Sequence, residues 1–349
     1  MIMSWDKTLD LFSSLVEERL VKYFNDTLKG AVDYHPFIAR VYSRLQEFVF
    51  RKGKRLAACS ALLIYKGYLN KIDDEILNFA VGVELYRHSI LVHDDLVDRD
   101  EYRRKQKTLH KNFSEKENER FGEEVPIFLG NITYTLAVKA ILDSGFEENK
   151  LVSILHILSE GYQDVNESQI LDLHFETRDV EIDEWCIMAS KRAASLFKTT
   201  MLAGAILAGA PESDLNTLKE AANYIGLAFD IQDDIIDTYA SEIQYGRPPC
   251  KDLTLNKKPL HVICALTSKN QEKSRALRKL MGKTLNIEGI KEARLIIKNS
   301  GGLEQAKNMS RKYAKKAKIL LSKTQLNKEG KEFFSSFINY IEESLEWYS

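Results

Sequence analysis

The chain has 349 residues, of which 44% are hydrophobic and 29% charged, so its composition is that of a folded protein and excludes a disordered one. Its 50 basic and 51 acidic side chains leave a formal net charge of −1, which provides no electrostatic basis for binding nucleic acid or for a polybasic membrane anchor. With 17 glycines and 6 prolines, it has fewer turn residues than a sandwich or barrel of many short strands needs. The composition therefore predicts a helical protein.

Apolar residues recur at helical spacing along almost the whole chain, and no alternating strand pattern longer than a few residues is present. This pattern predicts helices, in chain order, over residues 9–28, 57–69, 76–97, 125–142, 150–174, 183–209, 214–239, 260–282, 289–298, 303–321 and 329–347. Residues 99–124 are dense in charge and residues 244–259 are rich in proline and glycine, so both stretches are predicted to be loops. Because similar helical patterns continue on both sides of each loop, we expect one all-α domain over residues 1–349, a large helical bundle around a central cavity.

Cysteine usage and the distribution of apolar residues bear on where the protein works. The four cysteines include no CxxC pair, and spacings this wide suit neither a zinc site nor a disulfide framework. Asp6 and Lys7 precede any apolar run, and the longest uncharged stretches, residues 125–138 and 199–211, are too short to span a bilayer. We therefore expect a soluble cytoplasmic protein with neither a signal peptide nor a transmembrane segment.

Two DDxxD motifs follow strongly apolar helical stretches. Their aspartates are Asp94, Asp95 and Asp98 in the first motif, and Asp233, Asp234 and Asp237 in the second. The first and last aspartates of each motif lie four residues apart, so their carboxylates share one helix face and repel each other unless a cation lies between them. Because Mg²⁺ prefers such oxygen ligands, the motifs predict metal binding by Asp94, Asp98, Asp233 and Asp237.

The alternative for a single motif is an acidic helix end that faces solvent. Two copies, about 140 residues apart and each following an apolar helix, make that alternative much weaker. An antiparallel bundle could bring both helix ends to one rim of a cavity. Basic residues suited to binding a diphosphate occur near the motifs and in the second predicted loop: Lys54, Arg55, Arg103, Arg104, Lys191, Arg192, Arg247 and Lys257. For each of these taken singly, a solvated surface cation is the ordinary alternative.

On these motifs the chain resembles the trans-isoprenyl diphosphate synthases, which include the farnesyl and geranylgeranyl diphosphate synthases, over roughly residues 52–321. The resemblance implies that the two motifs bind about three Mg²⁺ ions around the diphosphate of an allylic substrate. It implies isopentenyl diphosphate binding by Lys54, within Gly53-Lys54-Arg55, and by Arg104. It also implies allylic diphosphate binding by Arg103, Lys191 and Lys257, with Arg247 replacing a lysine of the family pattern. A homodimer is expected by the same resemblance.

The chain departs from the family pattern near Lys54 and before the first motif. Ala57 occupies the position of an arginine that binds isopentenyl diphosphate, and Arg87, followed by His88, occupies a position that is usually His or Gln. Our hypothesis is that Arg87 restores the lost positive charge. Other departures include Asn131 for Asp, Arg192 for Thr and Asp230 for Gln. All six motif aspartates are retained, so we expect activity.

The reaction that the resemblance implies is ionisation of the allylic diphosphate, condensation with isopentenyl diphosphate and loss of a proton. Product length should depend on the residues four, five and eight positions before Asp94, which are Ile90, Ser89 and Tyr86. Ser89 is small, and Tyr86 lies about 12 Å deeper along the helix, so it is predicted to form a lower floor. Products of C20 to C25 follow, unless Tyr86 is an ordinary core aromatic.

Two other functions are alternatives to a prenyltransferase. A terpene cyclase also uses a DDxxD motif, but its second metal motif mixes Asn, Ser or Thr with Glu, and it has no need of an isopentenyl diphosphate site such as Lys54 with Arg104. A non-catalytic partner subunit of a prenyl synthase usually loses acidic motif residues. A requirement for isopentenyl diphosphate would separate the first alternative from a prenyltransferase, and activity of the purified chain alone would separate the second.

Overall fold

The structure is a computed structural model that describes residues 5–245 and 248–348, with the side chains of all of them except Ala194 and Tyr245. Over these residues the chain forms 17 α-helices and one hairpin of two-residue strands, so the all-α prediction is confirmed. Its contacts divide it into two compact units, Met1–Leu155 with Ala203–Ala210 and His156–Leu202 with Pro211–Ser349, which we call the N-terminal unit and the C-terminal unit. Each is described by itself, and the single domain over residues 1–349 remains a prediction.

The N-terminal unit is built around one helix that is buried nearly all round. Its elements are α1 (Trp5–Tyr34), α2 (Pro36–Phe50), α3 (Leu56–Leu69), α4 (Asp74–Val97), β1 (Tyr102–Arg103), β2 (Gln106–Lys107), α5 (Leu109–Lys116) and α6 (Glu119–Leu142). Helix α4 packs against α6, α3 and α1, and 16 of its 24 residues are buried. The Asp73 side chain fixes the start of α4 by accepting the backbone N–H of Ile76. The first DDxxD motif is thereby attached to the centre of this unit.

Most of the C-terminal unit surrounds another long helix. The elements that follow are α7 (Glu148–Phe175), α8 (Ile182–Ala189), α9 (Ala193–Leu207), α10 (Glu212–Tyr239), α11 (Glu242–Tyr245), α12 (Lys251–Thr254), α13 (Leu260–Leu266), α14 (Gln271–Leu280), α15 (Ile287–Asn299), α16 (Gly302–Lys323), α17 (Lys328–Ser344) and a 3₁₀ turn (Leu345–Trp347). Helix α10 packs along α16 and also against α17. A core that includes Trp185, Ile231 and Ile263 joins α8, α10 and α13. The second DDxxD motif lies in the last two turns of α10.

Most predicted helices are confirmed, but the predicted loop over residues 99–124 is wrong. It contains the β1–β2 hairpin, all of α5 and the start of α6. Helix α5 has eight residues and buries Leu109 and Phe113 on one face, so it is too short to be stable alone, and its packing against α6 stabilises it. The prediction also missed α2, which begins with Pro36 and packs against α1.

Two long predicted helices are each divided in the structure. The helix predicted over residues 183–209 breaks between α8 and α9, where the N–H groups of Lys191 and Arg192 donate to the carbonyls three residues earlier, tightening the chain into a turn. The helix predicted over residues 260–282 breaks before α14, whose first turn is capped by the Asn270 side chain. The predicted loop over residues 244–259 contains the short helix α12, and residues 246–247 lie outside the described residues.

One helix among the described residues, α6, is long and apolar enough to cross a membrane by length and composition. In its most apolar 18-residue window, 44% of the residues are buried inside the protein, and the helix packs along α4 and α5. A core helix meets the same criterion of length and composition. The absence of a transmembrane segment therefore remains a prediction.

Candidate active site

The first aspartate cluster lies in the last turn of α4, where its three carboxylates differ in exposure. Asp95 is 2% exposed and points into the N-terminal unit, whereas Asp94 and Asp98 are half-buried. Asp98 caps the helix, and its backbone N–H donates to the carbonyl of Asp94 at 2.9 Å. The carboxylates that reach solvent are therefore those of Asp94 and Asp98, which are the first and last residues of the motif.

Arg103, at the end of β1, is bound by this cluster. Its Nη2 donates to Asp94 Oδ2 at 3.2 Å, and its Nε donates to Asp95 Oδ1. Burial raises the pKa of Asp95 to about 7, although Arg103 beside it opposes the rise. The hairpin thus places the Arg103 guanidinium in contact with the carboxylates of both Asp94 and Asp95.

Arg104 is the centre of a group of cations in the same unit. Its guanidinium lies against Gly53, where a Cβ atom would come within 2.5 Å of Arg104 Cζ, and its Nη1 donates to the carbonyl of Arg51 at 2.8 Å. Burial lowers the pKa of Arg104 to about 10; Glu84 opposes this shift, and the charges of Arg103, Arg55 and Arg87 add to it. Arg104 is therefore a largely buried cation with three other arginines near it, and this concentration of positive charge favours an anion.

Arg55 is held inside the N-terminal unit. Its side chain is buried, and it donates to Glu17 Oε1 at 2.9 Å, to Glu84 Oε1 at 3.0 Å and to the carbonyl of Val49 at 3.1 Å. These contacts favour a supporting role over direct binding of substrate, and the predicted role of Arg55 in binding remains a prediction. Glu84 was missed by the sequence analysis, although it is the single acid within the apolar stretch 76–92.

The remaining predicted substrate residues of this unit lie in different surroundings. Lys54 Nζ is 4.2 Å from the centre of the Trp5 ring, and burial lowers its pKa while Asp6 and Asp10 oppose the shift. His88 is 1% exposed, with Nδ1 2.8 Å from the carbonyl oxygen of Glu84. Burial, reinforced by the charge of Arg104, lowers the pKa of His88 well below its usual value, so this imidazole is neutral.

The three residues predicted to set product length are all buried in α4. Tyr86 is fully buried, with its ring centre 6.3 Å from that of Tyr134 on α6, and the Ser89 hydroxyl donates to the carbonyl of Tyr86 at 2.8 Å. Ile90 is 7% exposed. These positions are compatible with a floor and with ordinary core packing, so the role in product length remains a prediction.

His93, directly before Asp94, anchors the end of α4 to α6. Its Nε2 lies 3.1 Å from the carbonyl oxygen of Ile127, and a Cβ atom at Gly130 would come within 2.0 Å of the same nitrogen. The absence of a side chain at Gly130 therefore allows His93 to dock. Sequence reasoning missed this contact, because it depends on which helix packs beside α4.

A pocket of about 640 Å³ lies elsewhere in the N-terminal unit, among α1, α2, α4 and α6. Tyr23 and Tyr42 are among its lining residues, and none of the predicted site residues is.

The second aspartate cluster, in the C-terminal unit, presents one of its three carboxylates to solvent. Asp233 is exposed, whereas Asp234 is 8% and Asp237 1% exposed. Asp237 Oδ2 accepts the backbone N–H of Asp252 at 3.2 Å, so its carboxylate holds the start of α12. The metal-binding role predicted for Asp237 remains a prediction.

Arg192 occupies the space beside the second cluster. Its Nε and Nη2 donate to the Asp230 carboxylate at 2.8 to 3.0 Å, and its Nη2 is 3.3 Å from the carboxylate oxygens of Asp234. Burial alone would lower the pKa of Arg192, but the carboxylates of Asp230, Asp234 and Asp172 raise it well above its usual value. The position predicted for Lys191 and Arg192 within a helix is wrong, since both lie in the turn between α8 and α9.

The two predicted lysines of this unit differ in their partners. Lys257 Nζ is 3.3 Å from Asp172 Oδ2, and the other oxygen of Asp172 is 3.7 Å from Arg192 Nη1, so Lys257 lies next to the second cluster. Lys191 instead pairs with Asp164, at 3.0 Å, and with Glu167. Arg247 lies outside the described residues.

The described carboxylates determine whether the protein could bind a metal ion. Within residues 5–245 and 248–348, no three His, Cys, Asp or Glu side chains are arranged to hold a metal ion by themselves. Mg²⁺ binds through one or two carboxylates and completes its shell with water and phosphate oxygens, so pairs of accessible carboxylates suffice. Asp94 and Asp98, on one face of the last turn of α4, fit that requirement.

Comparison with known proteins identifies the family. The polyprenyl synthetase model matches residues 39–297. The chain is 32% identical over 296 residues to a short chain isoprenyl diphosphate synthase of Methanocaldococcus jannaschii, an alignment covering 84% of this chain and 85% of that protein. It is 29% identical over 301 residues to a geranylfarnesyl diphosphate synthase of Aeropyrum pernix, covering 84% and 91%.

A solved structure shares the fold. It is that of a geranylgeranyl pyrophosphate synthase from Corynebacterium glutamicum complexed with isoprenyl diphosphate and magnesium, with a TM-score of 0.91, 20% identity, and coverage of 98% of this chain and 100% of that one. The chain belongs to the polyprenyl synthetase family, and the predicted family is confirmed. As expected, it is an enzyme of the prenyltransferase class.

Proposed function

We propose that the protein is a Mg²⁺-dependent trans-prenyltransferase that condenses isopentenyl diphosphate with an allylic diphosphate and releases products of C20 to C25. The observation that carries this proposal is the arrangement at the end of α4, where the accessible carboxylates Asp94 and Asp98 adjoin Arg103, with Arg104 next to it in the chain. Carboxylates are ligands for a divalent cation, and arginines bind diphosphate groups. This region could therefore bind both the Mg²⁺ and the diphosphate of a substrate. The geranylfarnesyl synthase among the relatives supports the long end of the product range.

The proposed metal-binding residues are Asp94, Asp98 and Asp233, which reach solvent, with Asp237 as a fourth expected from the motif. About three Mg²⁺ ions are expected at the site by family resemblance, and bound Mg²⁺ would stabilise the negative charge of the departing diphosphate. Asp95 and Asp234 are proposed to act beside these residues by holding Arg103 and Arg192, respectively. The carboxylates therefore divide into metal-binding and arginine-binding members.

The cations are proposed to divide between the two substrates. Arg103 and Lys257, each already in contact with an aspartate, would bind the allylic diphosphate, together with Lys191 and Arg247. Arg104, Lys54 and Arg87 would bind isopentenyl diphosphate, with His88 buried beneath them as a neutral group. Positive charge fixed in place before the reaction stabilises the diphosphate as its negative charge develops. Buried apolar residues of α4 would shield the allylic cation from water.

The assembly and location of the protein are also proposals. A homodimer is expected from the family, and exposed apolar side chains on α6, Ile127 and Phe128, provide surface for an interface. A cytoplasmic location remains the expectation from cysteine usage.

The test is turnover by the purified full-length chain with Mg²⁺, isopentenyl diphosphate and each allylic diphosphate primer, followed by sizing of the products by mass spectrometry. We expect chain elongation that requires isopentenyl diphosphate. The variants Asp94→Asn and Asp98→Asn should each lower turnover by about 100-fold or more. The control Asp33→Asn, at an exposed position of α1, should retain it.

The alternatives give different results in the same assay. Products formed from the allylic diphosphate alone would indicate a terpene cyclase. No turnover with any primer, from a folded chain, would indicate a non-catalytic partner subunit.

A further inference from the structure

Arg192 contacts two buried carboxylates of α10, those of Asp230 and Asp234. Asp230 and Asp234 are four residues apart on this helix, both are buried, and carboxylates so placed repel each other strongly. Three of the contacts made by the Arg192 guanidinium join it to Asp230 at 3.0 Å or less, and two more join it to Asp234 at 3.3 Å. One side chain from the α8–α9 turn thus neutralises a pair of buried carboxylates.

We propose that Arg192 is the permanent counter-ion of the second aspartate cluster, and that it withdraws Asp234 from metal binding, so that of the two adjacent aspartates Asp233 is the one that binds a metal. Asp233 is exposed, whereas the Asp237 carboxylate is enclosed and accepts the N–H of Asp252. The part of the inference that concerns metal binding rests on the proposed function. Arg192 is therefore a positioning residue, acting through Asp234.

Arg192 also connects the cluster to Lys257. The two oxygens of Asp172 lie 3.7 Å from Arg192 Nη1 and 3.3 Å from Lys257 Nζ. Asp172, Asp230 and Asp234 thus supply three acidic side chains to these two cations, and the contacts among them fix the geometry of the group. Loss of Arg192 would leave two adjacent carboxylates without their shared cation, and a divalent cation is the replacement that their spacing favours.

The experiment uses the full-length variant Arg192→Gln and requires no substrate. In EDTA, its melting temperature should fall by about 5 °C, because buried carboxylates lose their partner. Titration with Mn²⁺ alone, monitored by electron paramagnetic resonance, should show one more bound ion per chain than in the unsubstituted protein. Mn²⁺ should also raise the melting temperature of the variant more than that of the unsubstituted protein.

Two further variants separate charge from packing. Arg192→Gln with Asp230→Asn removes one carboxylate together with the arginine, so the melting temperature in EDTA should partly recover and the additional Mn²⁺ should disappear. The control Arg278→Gln removes an arginine from an exposed ion pair with Asp179 in the same unit, and it should change neither measurement.

An unchanged Mn²⁺ count in Arg192→Gln overturns the proposal, whatever its melting temperature. If Arg192→Gln does not fold, the double variant decides: its folding supports a counter-ion, and its failure to fold indicates that the arginine is needed for packing and overturns the proposal. Since neither readout involves turnover, a failure of the proposed function would show separately in the product assay.

Discussion

Arg55 and Glu84 form a buried ion pair, with Nη1 3.0 Å from Oε1 and neither side chain more than 2% exposed. The pair joins the start of α3 to the middle of α4, and Glu84 is also the acid that opposes the lowered pKa of Arg104. A buried charge that loses its partner is far more costly than a surface ion pair that is broken. The positions of Arg55 and Arg104 in the N-terminal unit should therefore depend on Glu84.

Substitution of Glu84 by glutamine should destabilise the protein and weaken its binding of isopentenyl diphosphate. Removing the carboxylate leaves the buried Arg55 with Glu17 as its one remaining acidic partner, which should lower the free energy of unfolding by about 2 kcal/mol. It also leaves the neighbouring arginines less well positioned, so KM for isopentenyl diphosphate should rise. Urea denaturation and steady-state kinetics measure the two effects.

The matched control for Glu84→Gln is Arg19→Gln, which breaks an ion pair with Asp74 at the surface of the same unit. This control should change neither quantity appreciably. An unchanged urea midpoint for Glu84→Gln would show that the buried pair contributes nothing to stability.

Substitution of Gly130 by alanine should impair catalysis by moving His93. The new methyl group would overlap the imidazole, which must give up its contact with the Ile127 carbonyl and shift the adjacent Asp94. We expect kcat to fall about tenfold, because a small displacement of Asp94, a proposed metal-binding residue, would be costly to catalysis. Turnover under saturating substrate measures this.

Gly30, on α1, supplies the control, because a Cβ atom there would meet nothing within 4 Å. Gly30→Ala should leave kcat unchanged and stabilise the helix by about 0.5 to 1 kcal/mol. Equal kcat values for Gly130→Ala and Gly30→Ala would show that the position of His93 does not affect catalysis.

Arg87 should compensate for the arginine that Ala57 replaces. The charge of Arg87 acts on both Arg104 and His88, which agrees with a place beside the proposed isopentenyl diphosphate site. Arg87→His alone should raise KM for isopentenyl diphosphate by about tenfold. The double variant Ala57→Arg with Arg87→His should retain affinity, and an unchanged KM in the single variant would refute the compensation.

Tyr86 should limit the length of the product. Replacing it with alanine removes a fully buried aromatic ring from the predicted floor, so products should lengthen beyond those of the unsubstituted enzyme. Phe79→Ala is the control, since Phe79 is also fully buried in α4 and packs on Phe146. Both variants should lose stability, by about 3 to 5 kcal/mol, but the product distribution should change in Tyr86→Ala alone. Identical distributions would make Tyr86 an ordinary core residue.

Two buried histidines should each make stability fall as the pH is lowered below about 6.5, whereas Asp95, whose pKa burial raises to about 7, contributes in the opposite direction. Burial lowers the pKa of His261 to about 3, and burial with the nearby arginines lowers that of His88. The unfolded chain takes up these protons below the ordinary histidine pKa and the folded chain does not, so each histidine reduces stability by about 1.4 kcal/mol per pH unit below 6.5. For His261 this effect continues until its folded-state pKa is reached.

Urea denaturation of His261→Gln at pH 7.5, 6.5 and 5.5 tests this pH dependence. The slope of stability against pH should be smaller in this variant, whereas His156→Gln, at an exposed position, should keep the original slope. A slope that survives the substitution at His261 would assign the acid sensitivity to other groups.

The sequence by itself determined the helical class, most helix positions and the two aspartate motifs. Helical periodicity and the four-residue spacing within DDxxD are local properties, and local geometry follows from the order of residues along one helix. The same order did not reveal α5, a short and polar helix whose two buried apolar residues are too few for a repeating pattern, nor the turn that divides α8 from α9.

The tertiary structure alone decided what each charged residue contacts. Asp98 and Asp237 are the last members of the same pattern when read along the chain, yet Asp98 is half-buried and reaches solvent, whereas Asp237 is enclosed and accepts the backbone N–H of Asp252, 15 residues away. Glu84 became important because α3 delivers Arg55 to it. The partner of a charge is selected by the packing of separate helices, and that packing depends on the sum of many apolar contacts rather than on any local signal.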